Sequence, residues 1–169
     1  AGVGPFGCGG EIPMDANVDV ISAGTLDGTG GFGGNLVDVI AGRNASVTGP
    51  TDVRGRESGS FGGAVTALAG ALGPGTLTIG NSVKASGGGC APETGCGVGG
   101  FADLSGCDVT VTPAGSVEAR GGDAGEILIT AREQLRVQGP LDATTVGGGA
   151  NGSNIYVHKS TKAPIVTAA

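Results

Sequence analysis

The residues of this chain that could do chemistry are few, and the four cysteines are the most informative of them. Cys90 and Cys96 enclose five residues, and no histidine lies near them in the sequence to complete a metal site. An even cysteine count with this spacing predicts a disulfide between Cys90 and Cys96, with free buried thiols in a cytosolic protein as the alternative. Cys8 and Cys107 are then left over. They could pair with each other, or bond neighbouring molecules.

A second candidate site is a series of polar residues, each at the middle of a short apolar run. Its members are Asp27, Asp52, Lys84, Glu118 and Asp142. If the runs stack, these side chains form an outward polar ladder. Such a ladder could bind Ca²⁺ or line a glycan groove, because hard cations need several oxygen ligands. Each run supplies at most one carboxylate, however, and Lys84 separates two acidic pairs. We therefore interpret the ladder as a solvated face and predict neither a metal nor a cofactor.

The residues available for catalysis are sparse. His158 is the single histidine, and alternation predicts that it points outward beside Tyr156. No serine or cysteine motif gives it a nucleophile to activate. Four arginines fall at predicted corners, namely Arg43, Arg54, Arg56 and Arg120. None of them shares a ladder position with the several carboxylates that a polysaccharide lyase would require, so we predict that the protein is not an enzyme.

The elements that must position these residues repeat along the chain. The segment 10–16, Gly-Glu-Ile-Pro-Met-Asp-Ala, matches the segment 125–131, Gly-Glu-Ile-Leu-Ile-Thr-Ala. Weaker copies lie between them. The first inward residue after each glycine corner is expected to be Ile12, Val37, Val65, Ala102, Ile127 and Ile155, at spacings of 25, 28, 37, 25 and 28 residues. Fixed-period self-similarity of this kind indicates stacked copies of one structural unit.

Each unit contains further short runs in which apolar and polar residues alternate. The second run of the units reads 18–20, 45–47, 77–79, 109–111 and 135–137, and the third reads 26–28, 51–53, 83–85, 117–119 and 141–143. Strict alternation indicates half-buried strands. No helix is predicted, because Gly, Pro or a β-branched pair interrupts every window where a helical period could begin.

These patterns predict an all-β protein with one parallel β-solenoid of about five to six coils and glycine-rich corners. A sandwich or barrel of hairpins is the alternative, but hairpins would not repeat a whole three-strand unit every 25–30 residues or so. We predict an N-terminal arm over 1–10 and the solenoid over 11–169. The coils are expected to start near residues 11, 35, 64, 101, 126 and 153. Ile155 and Val157 are expected to point inward in the last of them.

The glycine-rich coils resemble those of known bacterial proteins. Residues 124–149 carry an alternating run ending in Thr130-Ala131, then Leu135-Arg136-Val137 and Leu141-Asp142-Ala143, then three glycines. This pattern resembles the coils of secreted and surface β-solenoids, including adhesins of the filamentous-haemagglutinin type. The resemblance covers about residues 11–160 and implies the architecture. Such coils serve in adhesins, filaments, phage fibres and polysaccharide lyases alike.

Charge and termini indicate a compartment and exclude some partners. The net charge is −6 and the basic residues are scattered, which argues against nucleic-acid binding. No apolar run reaches the roughly 18 residues that a membrane helix requires. The chain begins Ala-Gly-Val-Gly, small residues typical of the position after a signal-peptidase site, so we expect a secreted or cell-surface protein with its leader removed. Asn44 and Asn151 match the N-glycosylation pattern.

The expected function is structural. Neither end of the sequence contains a recognisable solenoid cap, and open solenoid ends expose unpaired strand edges. We therefore predict a homo-oligomer that stacks head to tail into an extracellular filament or surface layer. The alternative is an adhesin or glycan-binding rod that presents the loop 86–100 to a glycan or a host surface, because loops on rigid scaffolds often carry binding.

Overall fold

The computed structural model describes residues 10–91, 95–146, 153–160 and 162–167. Within these ranges all regular secondary structure is β-strand, and the strands stack as a parallel β-solenoid of about five turns. The predicted all-β solenoid is therefore confirmed. The N-terminal arm was predicted over 1–10, of which residues 1–9 lie outside the described part.

Each turn contributes one strand to each of three faces. The first turn contains β1 (Ile12–Ala16), β2 (Val20–Ser22) and β3 (Leu26–Asp27); the second contains β4 (Leu36–Ala41), β5 (Ala45–Val47) and β6 (Thr51–Asp52); the third contains β7 (Ala64–Ala69), β8 (Thr76–Ile79) and β9 (Ser82–Lys84). A small antiparallel hairpin follows, formed by β10 (Cys90–Ala91) and β11 (Gly95–Cys96).

In the later turns the first two faces are joined by one continuous strand. The fourth turn contains β12 (Phe101–Val111) and β13 (Ser116–Glu118), and the fifth contains β14 (Glu126–Val137) and β15 (Leu141–Asp142). Two more strands, β16 (Ser153–His158) and β17 (Ile165–Val166), then add to the first and second faces beside β14. An irregularity in the pairing of β12 with β14 at Gly106 and Asp108 marks the corner between the two faces.

The core is a column of small and branched apolar side chains. On the first face Val37, Val65, Ala102 and Ile127 lie in register on successive turns, and each is at most 2% exposed. Alternate residues along each strand point outward, as the burial of β4 and β7 shows. The period-2 pattern of the sequence thus fixes which side chains enter the core.

Glycines at one corner allow the turns to stack closely. A Cβ added at Gly125 would lie 1.9 Å from the carbonyl oxygen of Gly100, and one added at Gly100 would lie 1.9 Å from that of Gly63. Backbone of one turn therefore occupies the space in which the next turn would carry a side chain. This corner requires glycine for close approach rather than for a positive φ.

The structure corrects the predicted register in two places. Val20 pairs with Ala45, not with Val47, so the second run of the first turn is 20–22 rather than 18–20. Asp19 binds Arg43 and Asn44 at the corner, which places the strand two residues later. The even shift keeps Val20 buried.

The second correction concerns the last strand of the first face. Ile127 pairs with Asn154 and Leu128 with Ile155, one residue away from the predicted alignment of Ile127 with Ile155. Among the described strands this one pairs with β14 alone, so within the described ranges its register is constrained from one side only. His158 pairs with Ala131, and its Nε2 lies 3.1 Å from the carbonyl oxygen of Glu133.

Candidate functional site

The third face carries the polar ladder. Its five members pair in register, in the order Asp27, Asp52, Lys84, Glu118 and Asp142. Neighbouring turns of a parallel stack lie about 4.8 Å apart, so each side chain is adjacent to the next. Lys84 lies between Asp52 and Glu118 and so separates the two acidic pairs.

A second ladder, which the sequence analysis missed, lies two residues further along each turn. Its members are Thr29, Arg54, Ser86, Arg120 and Thr144. Backbone hydrogen bonds hold it in register: Gly30 N–H donates to Arg54 O, Gly55 N–H to Ser86 O, and Gly87 N–H to Arg120 O. The signal available in the sequence was a polar residue two places after every member of the polar ladder.

Two threonines of the second ladder bind the carboxylates of the first. Thr29 donates to Asp27 Oδ1 through its hydroxyl at 2.7 Å and its backbone N–H at 3.0 Å, and Thr144 binds Asp142 in the same way at 2.6 and 3.0 Å. The hydroxyl bond of Thr29 lowers the pKa of Asp27. Partial burial alone would raise the pKa of Asp142, but the two bonds from Thr144 outweigh it and lower that pKa.

Arg54, also in the second ladder, binds the carboxylate of Asp52 through an ion pair. Its Nε and Nη2 donate to the two oxygens of Asp52 at 2.9 and 2.6 Å, and its backbone N–H adds a third bond at 3.1 Å. Burial would raise the pKa of Asp52, but these bonds together lower it. Hydrogen bonding to Asp52 raises the pKa of Arg54.

Ser86 connects the third and fourth turns. Its hydroxyl donates to Glu118 Oε1 at 2.7 Å and accepts from the backbone N–H of Arg120 at 3.1 Å. Each carboxylate of the polar ladder therefore accepts at least one hydrogen bond from the protein itself. Within the described ranges no group of three or more His, Cys, Asp or Glu side chains could hold a metal ion.

A cleft of about 350 Å³ opens beside the second ladder, where the loop 86–100 begins. We call it the arginine cleft. Its walls are Arg54, Gly55, Arg56, Ser86, Gly87, Gly88, Glu118, Arg120 and Val146. The sequence pattern places these arginines at corners but does not predict that three of them line one cleft.

The loop 86–100 contains the predicted disulfide. Cys90 and Cys96 are bonded and pair across the β10–β11 hairpin, so this prediction is confirmed. A Cβ added at Gly122 would lie 2.8 Å from Cys90 Sγ, which shows that the hairpin packs closely on the corner between β13 and β14. Cys107 is half-buried and has no disulfide to any described residue, and its predicted partner Cys8 lies outside the described residues, so that pairing also stays a prediction. An intermolecular bond stays a prediction.

Next to this loop lies a second concavity, which we call the corner groove. It has a volume of about 830 Å³, and its side-chain walls are Asn35, Leu36, Val98, Phe101 and Glu126. Phe32 and Phe61, which precede the groove-lining Gly34 and Gly62 in the chain, form an edge-to-face pair with ring centroids 5.7 Å apart. These rings are 43% and 48% exposed. The sequence analysis did not single out either phenylalanine.

The predicted glycosylation residue Asn44 is used as a bridge between turns. Its Nδ2 donates to Asp19 Oδ1 at 3.0 Å, and its Oδ1 accepts from the backbone N–H of Thr76 at 3.1 Å. It therefore links the first, second and third turns. Glycosylation of Asn44 stays a prediction, and Asn151 lies outside the described residues.

Comparison of the chain with protein-family models, with curated proteins and with solved structures finds no significant match. Among the described residues there is no helix of the length and apolarity needed to cross a membrane.

Proposed function

We propose that this chain is an extracellular structural rod that stacks end to end on further copies of itself. The observation that carries the proposal is the incomplete burial of the first turn. Ile12, Met14 and Ala16 face the core but are only partly buried, whereas their partners in the second turn are at most 1% exposed. Another solenoid turn placed on β1 would cover these side chains.

The backbone of the first turn supports the same proposal. Among the described strands, β1 pairs only with β4, β2 only with β5, and β3 only with β6. Within the described part of the chain, one edge of each first-turn strand thus carries no partner strand, and edges of this kind template pairing with another chain. A head-to-tail contact that does not close on itself produces a filament.

Electron microscopy of negatively stained protein tests the proposal. We expect fibres whose axial repeat equals one rod of about five turns, roughly 25 Å. Sedimentation across a range of protein concentrations should show association. Strictly monomeric particles at high concentration would contradict end-to-end stacking.

The compartment is part of the proposal. The bonded Cys90 and Cys96 suit an oxidising environment. The resemblance to secreted glycine-rich β-solenoids favours the same location, and we propose no catalytic activity. Peptide mapping of the native protein without reductant should recover the Cys90–Cys96 peptide. Alkylation of both thiols before reduction would place the protein in a reducing compartment instead.

A second candidate function is glycan recognition at the corner groove. It is favoured by the exposed Phe32 and Phe61 pair beside a groove lined by Phe101, since aromatic rings supply large apolar contact area at modest entropic cost. Binding of neutral oligosaccharides to a glycan array should fall for Phe61→Ala. Leu72→Ala, which removes an apolar side chain that is 74% exposed at another corner, serves as the control. Equal binding by both variants would remove this candidate.

A further inference from the structure

The arginine cleft concentrates positive charge on an acidic protein. The chain has a net charge of −6 and only six arginines, yet Arg54, Arg56 and Arg120 all line this one cleft. Glu118 is the single acidic side chain in its wall. The lining side chains therefore carry a formal charge of +2, from three arginines and one glutamate, and ion pairs with Asp52 and Asp142 offset part of the charge of Arg54 and Arg120.

The cleft exists because a short side chain separates two long ones. Arg54 and Arg120 belong to the second ladder two turns apart, with Ser86 on the turn between them. Two turns span about 10 Å. Ser86 is only 6% exposed, and Gly55, Gly87 and Gly88 form the adjoining wall. Between the two arginine positions the cleft is thus lined by one short side chain and by glycine backbone.

The arginines keep unused donors. Arg54 donates hydrogen bonds to Asp52 from its Nε and Nη2 atoms. The Nε of Arg120 lies 3.5 Å from Asp142 Oδ2 but is buried and donates no hydrogen bond to any group in the described part of the chain. The guanidinium group of Arg56 is exposed and has neither an ion pair nor a hydrogen bond with any residue of the described ranges.

We propose that the arginine cleft binds the oxyanion group, carboxylate or sulfate, of an acidic polysaccharide. Guanidinium groups present forked donors that match both oxyanions, and charge-assisted bonds of this kind are among the stronger ones. The cleft opens at the side of the rod, on the third face, so stacking of rods leaves it open. The proposal of an oxyanion site rests on the charged side chains of the cleft. The proposal that the oxyanion belongs to a polysaccharide rests on the second candidate function, glycan recognition.

Titration calorimetry with three probes tests the site: a polyuronate oligosaccharide, a neutral oligosaccharide of equal length, and inorganic sulfate. We expect the polyuronate to bind to the wild-type protein and to weaken as salt is added. Arg56→Gln and Arg120→Gln should each weaken it about tenfold, because each removes a charge-assisted bond. Arg136→Gln, on the second face, should bind as the wild type does.

Each outcome decides one part of the proposal. Equal weakening by Arg56→Gln and Arg136→Gln would mean a diffuse charge effect and overturn the site. Failure of all oxyanions to bind the folded wild-type protein would also overturn it. Binding of sulfate without polyuronate would reject the polysaccharide as the source. Loss of neutral oligosaccharide binding in Phe61→Ala, with polyuronate binding intact, would separate the corner groove from this cleft. Thermal unfolding followed by circular dichroism checks that each variant folds.

Discussion

At the scale of single residues, Asp19 shows how one carboxylate joins two turns. It accepts two hydrogen bonds from the guanidinium group of Arg43, at 3.1 and 2.8 Å, and two from Asn44, at 3.1 and 3.0 Å. The bonds from Arg43 are the main cause that lowers the pKa of Asp19 from 3.8 to about 2. The first turn is thereby fastened to the second.

This shift gives a prediction of pH dependence. Because the folded-state pKa of Asp19 is lowered, its stabilising contribution is present above the ordinary value of 3.8 and is lost as the pH falls towards about 2. Carboxyl carbon NMR should place the midpoint of Asp19 near 2. In Arg43→Gln the midpoint should return towards 3.8. An Asp19 midpoint near 3.8 in the wild-type protein would contradict the network.

Thr51 provides a second prediction at this scale. It is 1% exposed, and its hydroxyl has no hydrogen-bond partner among the described residues. Its neighbours in the stack are Leu26 and Val83. Thr51→Val replaces an unsatisfied hydroxyl by a methyl group of similar size, so the free energy of unfolding should rise by about 1–2 kcal/mol. Denaturant unfolding measures this. Thr78→Val, on an outward position, should change it little, and a destabilised Thr51→Val would refute the argument.

Some residues of the site were predictable from the sequence and others were not. The polar ladder follows from alternation, because a fixed period of two places every third-run polar residue on one face. The roles of Thr29 and Arg54 depend on side-chain hydrogen bonds across one intervening residue, which alternation does not encode. The presence of Arg54 and Arg120 in one cleft depends on the stacking of turns, because the two residues are 66 positions apart in the sequence.

At the scale of elements, the glycine corner controls the distance between turns. Gly125→Ala would place a methyl group against the carbonyl oxygen of Gly100, whereas nothing lies within 4 Å of a Cβ at Gly24. We expect Gly125→Ala to lower the free energy of unfolding by about 1–3 kcal/mol, as overpacking does. Gly24→Ala should change it by less than about 0.5 kcal/mol. Equal effects of the two substitutions, measured by thermal unfolding, would show that the corner is not close-packed.

The strands also show where sequence periodicity stops being informative. Anchors from Ile12 to Ile127 align as predicted, because each lies on a turn with the same glycine corner before it. Alignment fails for the second run of the first turn, where several alternating residues offer two even registers. It also fails in β16, which has a single strand neighbour among the described strands.

At the scale of the whole molecule, the solenoid architecture explains why the chain contains so few aromatic residues. Aromatic residues are 3% of the sequence and glycine accounts for 38 of 169 residues. A narrow column needs only Val, Ala, Leu and Ile to fill it, and the largest fully buried side chains are Leu and Ile. Aromatic side chains are then left for the surface, and Phe32 and Phe61 lie there.

Pro13 offers a test of stacking at the first turn. Ala16 O accepts from Gly42 N–H, and because backbone groups alternate along a strand, the nitrogen at position 13 faces the edge of β1 opposite β4, where no other described strand pairs. Proline there removes one donor from that edge, a device that weakens pairing between chains. Pro13→Val restores the N–H. If further copies stack on β1, this variant should assemble at a lower protein concentration than the wild type.

Sedimentation velocity at increasing protein concentration measures the effect, with Pro113→Val as the control. Pro113 is exposed at a corner of the fourth turn, so the same chemical change there adds no donor to the edge of β1. A lower onset of assembly in Pro13→Val alone would assign the contact to the first turn. If Pro13→Val and Pro113→Val both sediment as the wild type does while fibres still form, the filament contact uses another surface, because a restored edge donor that changes nothing cannot lie in the interface.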